Sequence, residues 1–375
     1  MRLVLRILLV GILLLPISTY AQDMALPTFT RTYNSAGTGY SYTVVGTDPG
    51  KGGTTTIPTV LVPITLTIEA PMDAAGKKAV LDASPDVARV IGSPIFARYP
   101  FASGKTQYTD AIMRADFHQE AAKDWHTLLG KPKVVPLKID LPIGKGYVLT
   151  SRKTGRMLAM VDVLFMQQEI FKQLPKEDMG AGKLVIAMTK NVTYYTSADA
   201  TECCSWGTHG VDTTQEFRQP FVLGSYLEAH TAEDDSDVQP LTQQLAQWFR
   251  DPLHEPALRV RRGMVPPGNV FPSWMRVPPP SPTELPTDNS DCGGTALAVD
   301  LFLNDPTDMN WKNRTPASRA YIANVGGMPY HLQNVALLSW YAGSVSPPYS
   351  FPDAKALTVP AKSCPTRVHD GMFGA

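Results

Sequence analysis

The segment Thr56–Ile68 gathers Ile57, Thr59, Val60, Val62, Ile64, Thr65, Thr67 and Ile68 into one short run. β-Branched side chains are stiff at χ1 and pack well on a pleated surface, so this run predicts a strand. Pro58 and Pro63 interrupt it. A proline has no N–H for a ladder, and Pro63 therefore predicts an edge or a bulge. Near residue 241 the period changes. Leu241, Leu245, Trp248 and Phe249 recur at i, i+4, i+7 and i+8, the stripe of an amphipathic helix. Ser236 or Asp237 is placed to cap that helix, with Pro240 in its first turn, and Asp251-Pro252 ends it. The fold has to bury both a sheet and this helix.

Other stretches add elements. Ser84-Pro85 opens a short helix carrying Val87, Val90 and Ile91, and Tyr108–Trp125 has helical spacing through Ile112, Ala115 and Phe117. Val134–Leu141, Gly146–Thr150 and Phe221–Tyr226 read as strands. Lys183–Val192 reads as a buried strand that Val192–Tyr195 extends. Val161–Leu174 reads as helical in its second half, and Tyr330–Tyr341 as a second apolar helix with His331 at its head. Residues 22–55, rich in Thr, Gly, Ser and Tyr, read as an irregular or hairpin-like lead-in, and 56–375 as a single domain. The stretch 264–291, with Pro278-Pro279-Pro280, is expected as an extended surface loop.

The ends and the composition bound the setting. Arg2 and Arg6, the apolar run Ile7–Pro16 and Thr19-Tyr20-Ala21 predict a signal peptide over residues 1–21, cut before Gln22. The mature protein is therefore expected to be secreted or periplasmic, with no membrane span after cleavage. Lys+Arg and Asp+Glu both number 34, so no global field attracts nucleic acid or anionic membranes. Cys203, Cys204, Cys292 and Cys364 make an even count, which in an exported chain favours two disulfides. Adjacent cysteines bridge each other only with strain, so Cys203 and Cys204 are each expected to pair with one of the other two.

The chemistry turns on Gln243, Gln244 and Gln247. In H-E-x-x-H, two His four residues apart on one helix face bind Zn²⁺, and the Glu beside the first activates water. Here the three places hold neutral amides. An amide nitrogen is no metal ligand, its carbonyl is a weak one for zinc, and neither is a general base. Taken alone, such a cluster reads as a solvated helix face. The histidines His209, His230, His254 and His331 show no ligand spacing, and the acidic run Glu233-Asp234-Asp235 with Asp237 lacks the order of a calcium loop. No G-x-S-x-G, phosphate loop or G-x-G-x-x-G occurs.

Several blocks together carry a resemblance. They are Ser93-Pro94-Ile95-Phe96 with Pro100-Phe101 and Thr106–Ala111, then Cys203-Cys204-Ser205-Trp206-Gly207-Thr208-His209. The Gln helix with its following Asp251-Pro252 comes next, and Tyr330-His331-Leu332-Gln333 through Leu338-Ser339-Trp340 is last. In that order they resemble a poorly characterised family of secreted bacterial zincin-like proteins, metallopeptidase-like in motif. The resemblance implies an α+β, zincin-like fold: a mixed sheet with packed helices, tied by disulfides. It puts the family's His and Glu on Gln243 and Gln244, its second ligand on Gln247, and a further acid on Ala298 within Leu297-Ala298-Val299-Asp300. The implied family cofactor, zinc, is then expected to be lost. The reading is a non-catalytic pseudo-peptidase binding a peptide or protein partner in the old cleft, with Gln243 and Gln247 lining a groove opposite Ala298 or Asp300. An active metal-dependent hydrolase with other ligands, or a cell-surface structural or adhesion protein, are the alternatives.

Overall fold

The computed structural model describes residues 25–35, 38–69, 78–150, 154–195, 203–229, 231, 237–253, 319–341 and 344–358. The expected signal peptide and the Pro-rich stretch 264–291 lie outside them. The fold is mixed α and β, with many strands and few helices. The lead-in contributes two strands, β1 (Thr28–Ser35) and β2 (Thr38–Val45), paired antiparallel. Phe29 on β1 meets Phe117 and Trp125 edge-on at 5.4 and 6.3 Å between ring centres, so the hairpin is stapled into the core.

The main sheet is built on β3 (Thr59–Ile68), β4 (Leu137–Leu141), β5 (Leu184–Lys190), β6 (Gly207–Asp212) and β7 (Gln219–Tyr226), in the spatial order β4-β3-β5-β7-β6. The first four in that order run parallel, and β6 is antiparallel to β7. Alternate residues feed two cores. Leu61, Leu184, Ile186, Met188 and Val222 face one side, and Val60, Val62, Val185, Ala187, Phe221 and Leu223 the other. The sheet is thus covered on both faces, which is why its strands are apolar runs and not alternating ones.

Pro63 does not lie on an edge. It sits in the interior of β3 opposite Met188, at the last pair of the ladder with β5, and from Thr65 the strand pairs antiparallel with Ala79–Asp82. Its missing N–H falls where one ladder gives way to the next.

Helices α1 (Val87–Gly92), α2 (Tyr108–Asp116), α3 (Val163–Gln173) and α4 (Gln239–Arg250) cover the sheet. Val163, Met166, Ile170 and Phe171 of α3 pack on one face; Leu241, Leu245, Ala246, Trp248 and Phe249 of α4, with α2, pack on the other. Helix α2 stops earlier than its spacing suggests, and Trp125 lies beyond it, its indole donating to Thr47 O at 2.9 Å. Val192–Tyr195 does not extend β5. Asn191 takes a left-handed φ of 51° and turns the chain into a second sheet beside Met157–Asp162.

The expected helix over 330–341 is mostly strand. Gly326 and Gly327, both at positive φ, form a two-residue turn joining β8 (Tyr321–Val325) to β9 (Met328–Leu332). Val335-Ala336 is a short strand, and only Leu338–Tyr341 is helical. A hairpin turn upstream, not the apolar spacing, decides this segment.

Candidate functional site

Helix α4 follows β7 and lies against β6 and β7. Two glycines set its distance. Gly207 and Gly224 face each other in the β6–β7 ladder. A Cβ on Gly224 would come within 2.9 Å of Leu241 Cδ2 and 3.2 Å of its Cα, and one on Gly207 within 2.7 Å of Gln244 Cγ and 2.2 Å of Leu223 O. The absence of side chains lets the helix rest close to strand backbone.

Three sides of α4 have distinct surroundings. Leu241, Leu245 and Trp248 point into the core under the sheet. Gln239, Thr242 and Arg250 point to the C-terminal segments. Gln239 Nε2 donates to Gln333 Oε1 at 3.0 Å, and Gln333 N donates to Thr242 Oγ1 at 2.9 Å. Arg250 binds Asp116 with Nε at 2.9 Å and Nη2 at 3.2 Å, and donates to Ala336 O at 2.6 Å. Burial pushes the Asp116 carboxyl up, and Arg250 and the Leu338 N–H pull it back.

Three glutamines remain. Gln243 follows Gln239 along one row by a spacing of four and Gln247 continues it, while Gln244 lies about 100° round the helix toward β6. Gln243 and Gln244 are buried, at 8% and 4% exposure, and Gln247 is half-buried. Gln243 and Gln244 do not face bulk solvent, contrary to the ordinary expectation for a polar cluster on an amphipathic helix. Gln244 Oε1 accepts from His209 Nδ1 on β6 at 3.0 Å. Gln243 Oε1 is shielded from solvent and meets no hydrogen-bond donor among the described residues.

The start of α4 corrects the expected cap. Val238 occupies the cap position and no side chain caps the helix. Asp237 instead serves as an anchor, accepting from the His331 N–H at 2.9 Å, His331 Nδ1 at 3.2 Å, Arg89 Nη2 at 3.2 Å and the Val238 N–H. Burial raises its carboxyl, but the bonds from His331 and Val238 outweigh that and hold it below its ordinary value. His331 is a strand residue joined to this aspartate, not the head of a helix.

The donors described around the glutamines are amides and one imidazole, where zinc takes thiolate, imidazole or carboxylate. The imidazole is bonded through Nδ1 to Gln244. Among the described residues, no group of three or more His, Cys, Asp or Glu is placed to hold a metal. Ala298, Asp300, His230, His254, Glu233-Asp234-Asp235, Cys292 and Cys364 lie outside the described residues, as do the side chains of Cys203 and Cys204, whose backbone forms a short strand with Ser205. In the sequence His209 shows no ligand spacing with the other histidines. Its place two residues beyond Gly207, on the strand that α4 crosses, was the signal that it would meet the helix. Nothing local in the sequence pairs Asp116 with Arg250 or Gln239 with Gln333.

No family model, no curated protein and no solved structure matches the chain. Among the described residues no helix is long and apolar enough to cross a membrane.

Proposed function

We propose that the protein is an exported, non-catalytic pseudo-peptidase of zincin-like type that holds a peptide or protein partner where the catalytic centre would be. One observation carries the reading. Gln243, Gln244 and Gln247 stand at the H-E-x-x-H positions on a helix packed against the sheet beside its antiparallel last strand, and the two at the first His and Glu positions are buried. The mixed sheet with packed helices is the architecture that the resemblance implies. A general base at position 244 would have to be an ionised carboxylate in contact with water. Gln244 is instead a neutral amide engaged by an imidazole. Such a bond orients a side chain without giving it a proton to move.

Metal analysis of the purified mature protein is the test. The expected result is no stoichiometric zinc after dialysis, and no cleavage of casein or a peptide library with zinc added. Bound zinc that is lost on mutating a histidine overturns the reading and favours a working hydrolase. The combined reversal Gln243→His, Gln244→Glu and Gln247→His is expected to create zinc affinity where the rest of the ligand geometry survives.

A further inference from the structure

We propose that His126 is a nucleophilic site that takes up acyl groups, with Asp110 as the residue that positions its ring. The site lies apart from the glutamines of α4, at one edge of the strand His126–Leu129, and stands independently of the pseudo-peptidase reading. That strand pairs with Thr54–Ile57 on one side. Side chains at the start of α2 cap it on the other. Gln107 Oε1 accepts from the Leu129 N–H at 2.7 Å, and Asp110 Oδ1 accepts from the Thr127 N–H at 2.6 Å. Asp110 Oδ2 accepts from Thr106 Oγ1 at 2.6 Å and from His126 Nδ1 at 2.8 Å. The Asp110 side chain is fully buried, while that of His126 is 32% exposed.

The bond settles the tautomer. A carboxylate accepts, so Nδ1 carries the proton and Nε2 keeps its lone pair. No hydrogen bond engages Nε2 among the described residues, and the exposed part of the ring opens it to solvent. Capping the strand does not require an imidazole, since Gln107 caps Leu129 with an amide alone. What Asp110 adds is a partner that orients the ring and stabilises positive charge on it, the arrangement in which histidine attacks an electrophile or takes a proton. A metal ion would need further ligands, and among the described residues no group of three or more is assembled. A phosphoryl donor would bring negative charge toward Asp110, so a neutral acyl donor fits better. In the step, the Nε2 lone pair bonds to the acyl carbon as the bond to the leaving oxygen breaks. The leaving group departs as an anion, and the positive acyl-imidazolium stays paired with the Asp110 carboxylate.

His118 supplies an internal comparison. Its Nδ1 faces the Ala115 carbonyl oxygen at 3.0 Å, so the same tautomer is held there by a neutral group, and the residue is exposed. Exposure alone would make His118 the faster of the two. The experiment treats the mature protein with diethyl pyrocarbonate at about pH 8, where an ordinary imidazole is neutral, and follows the ethoxycarbonyl group on each histidine by peptide mass spectrometry. His126 is expected to react about tenfold faster than His118. That comparison needs only wild-type protein, so it decides even where a variant folds poorly. Asp110→Asn should remove the advantage of His126 and leave the rate at His118 unchanged. Reaction at His126 no faster than at His118 overturns the proposal, and so does an undiminished rate at His126 in folded Asp110→Asn.

Discussion

Helix α4 buries two sets of polar groups and treats them differently. Arg250 is bonded to Asp116 and Ala336, Gln239 to Gln333, and Thr242 to the Gln333 backbone. In this set every named group has a partner supplied by another element. Of the two buried glutamines at the motif positions, Gln244 has His209, but the Gln243 carbonyl oxygen has no donor among the described residues. Folding alone explains the first set, because buried polar groups are almost always paired. Gln243 departs from that rule although it stands one turn from Gln239 on the same helix.

The contrast is broken most forcefully from the satisfied set. Arg250→Ala leaves Asp116 buried without its cation and is expected to cost about 3–5 kcal/mol, read as a lowered midpoint in urea denaturation. Joint replacement of Arg250 and Asp116 by apolar residues of similar volume should recover part of that loss and not all of it, since the Ala336 carbonyl and the Leu338 N–H each still lose a bond. A joint variant as unstable as the single one would show that these backbone bonds, and not the charge, carry the effect.

The glycine seam comes next. Gly207→Ala sets a methyl against Leu223 O and Gln244, and is expected to cost about 1–3 kcal/mol by overpacking. It should also disturb the His209–Gln244 bond, seen as a shifted His209 imidazole signal in the NMR spectrum. An unshifted signal would mean that α4 tolerates a wider gap than its contact with β6 implies.

At the start of the helix, Asp237→Asn should cost about 1.5–3 kcal/mol at neutral pH, since the lost bonds are charge-assisted. The sign follows from the depressed carboxyl. Its stabilisation is complete above the ordinary aspartate value of 3.8 and disappears as pH falls through the lower folded value. The gap between wild type and variant should therefore persist at mildly acidic pH and close only below 3.8. A gap that closes at higher pH would show that Asp237 is less engaged than its four bonds suggest.

Local patterns were legible in the sequence. The β-branched run gave β3, and the i, i+4, i+7, i+8 stripe gave the packed face of α4, because burial on a sheet or under one imposes those periods. What failed was decided at a distance or by single turn residues. Asn191 ended β5 through a left-handed φ, and Gly326-Gly327 turned an apolar run into a hairpin. Pro63 was tolerated inside a strand because two ladders change over there. At the site, the spacing placed Gln243 and Gln247 on one side of the helix, yet patterning alone made that side solvent-facing. Their burial comes from neighbours that no local pattern displays, as does the contact between Gln244 and His209, which lie 35 residues apart.

The smallest effects give the sharpest comparison, because they set two glutamines of one helix against each other. Gln239→Leu strips a donor from Gln333 and leaves that buried amide oxygen short of a partner, so it should cost about 1–3 kcal/mol. Gln243→Leu removes an oxygen that has no donor among the described residues and fills similar volume with apolar atoms. It should be neutral or stabilising by about 1 kcal/mol, read in the same urea series. A Gln243→Leu variant as unstable as Gln239→Leu would place Gln243 among the structural residues of α4. Stability kept or gained would separate two glutamines that stand one turn apart on the same helix: Gln239 paired within the fold, and Gln243 not needed by it.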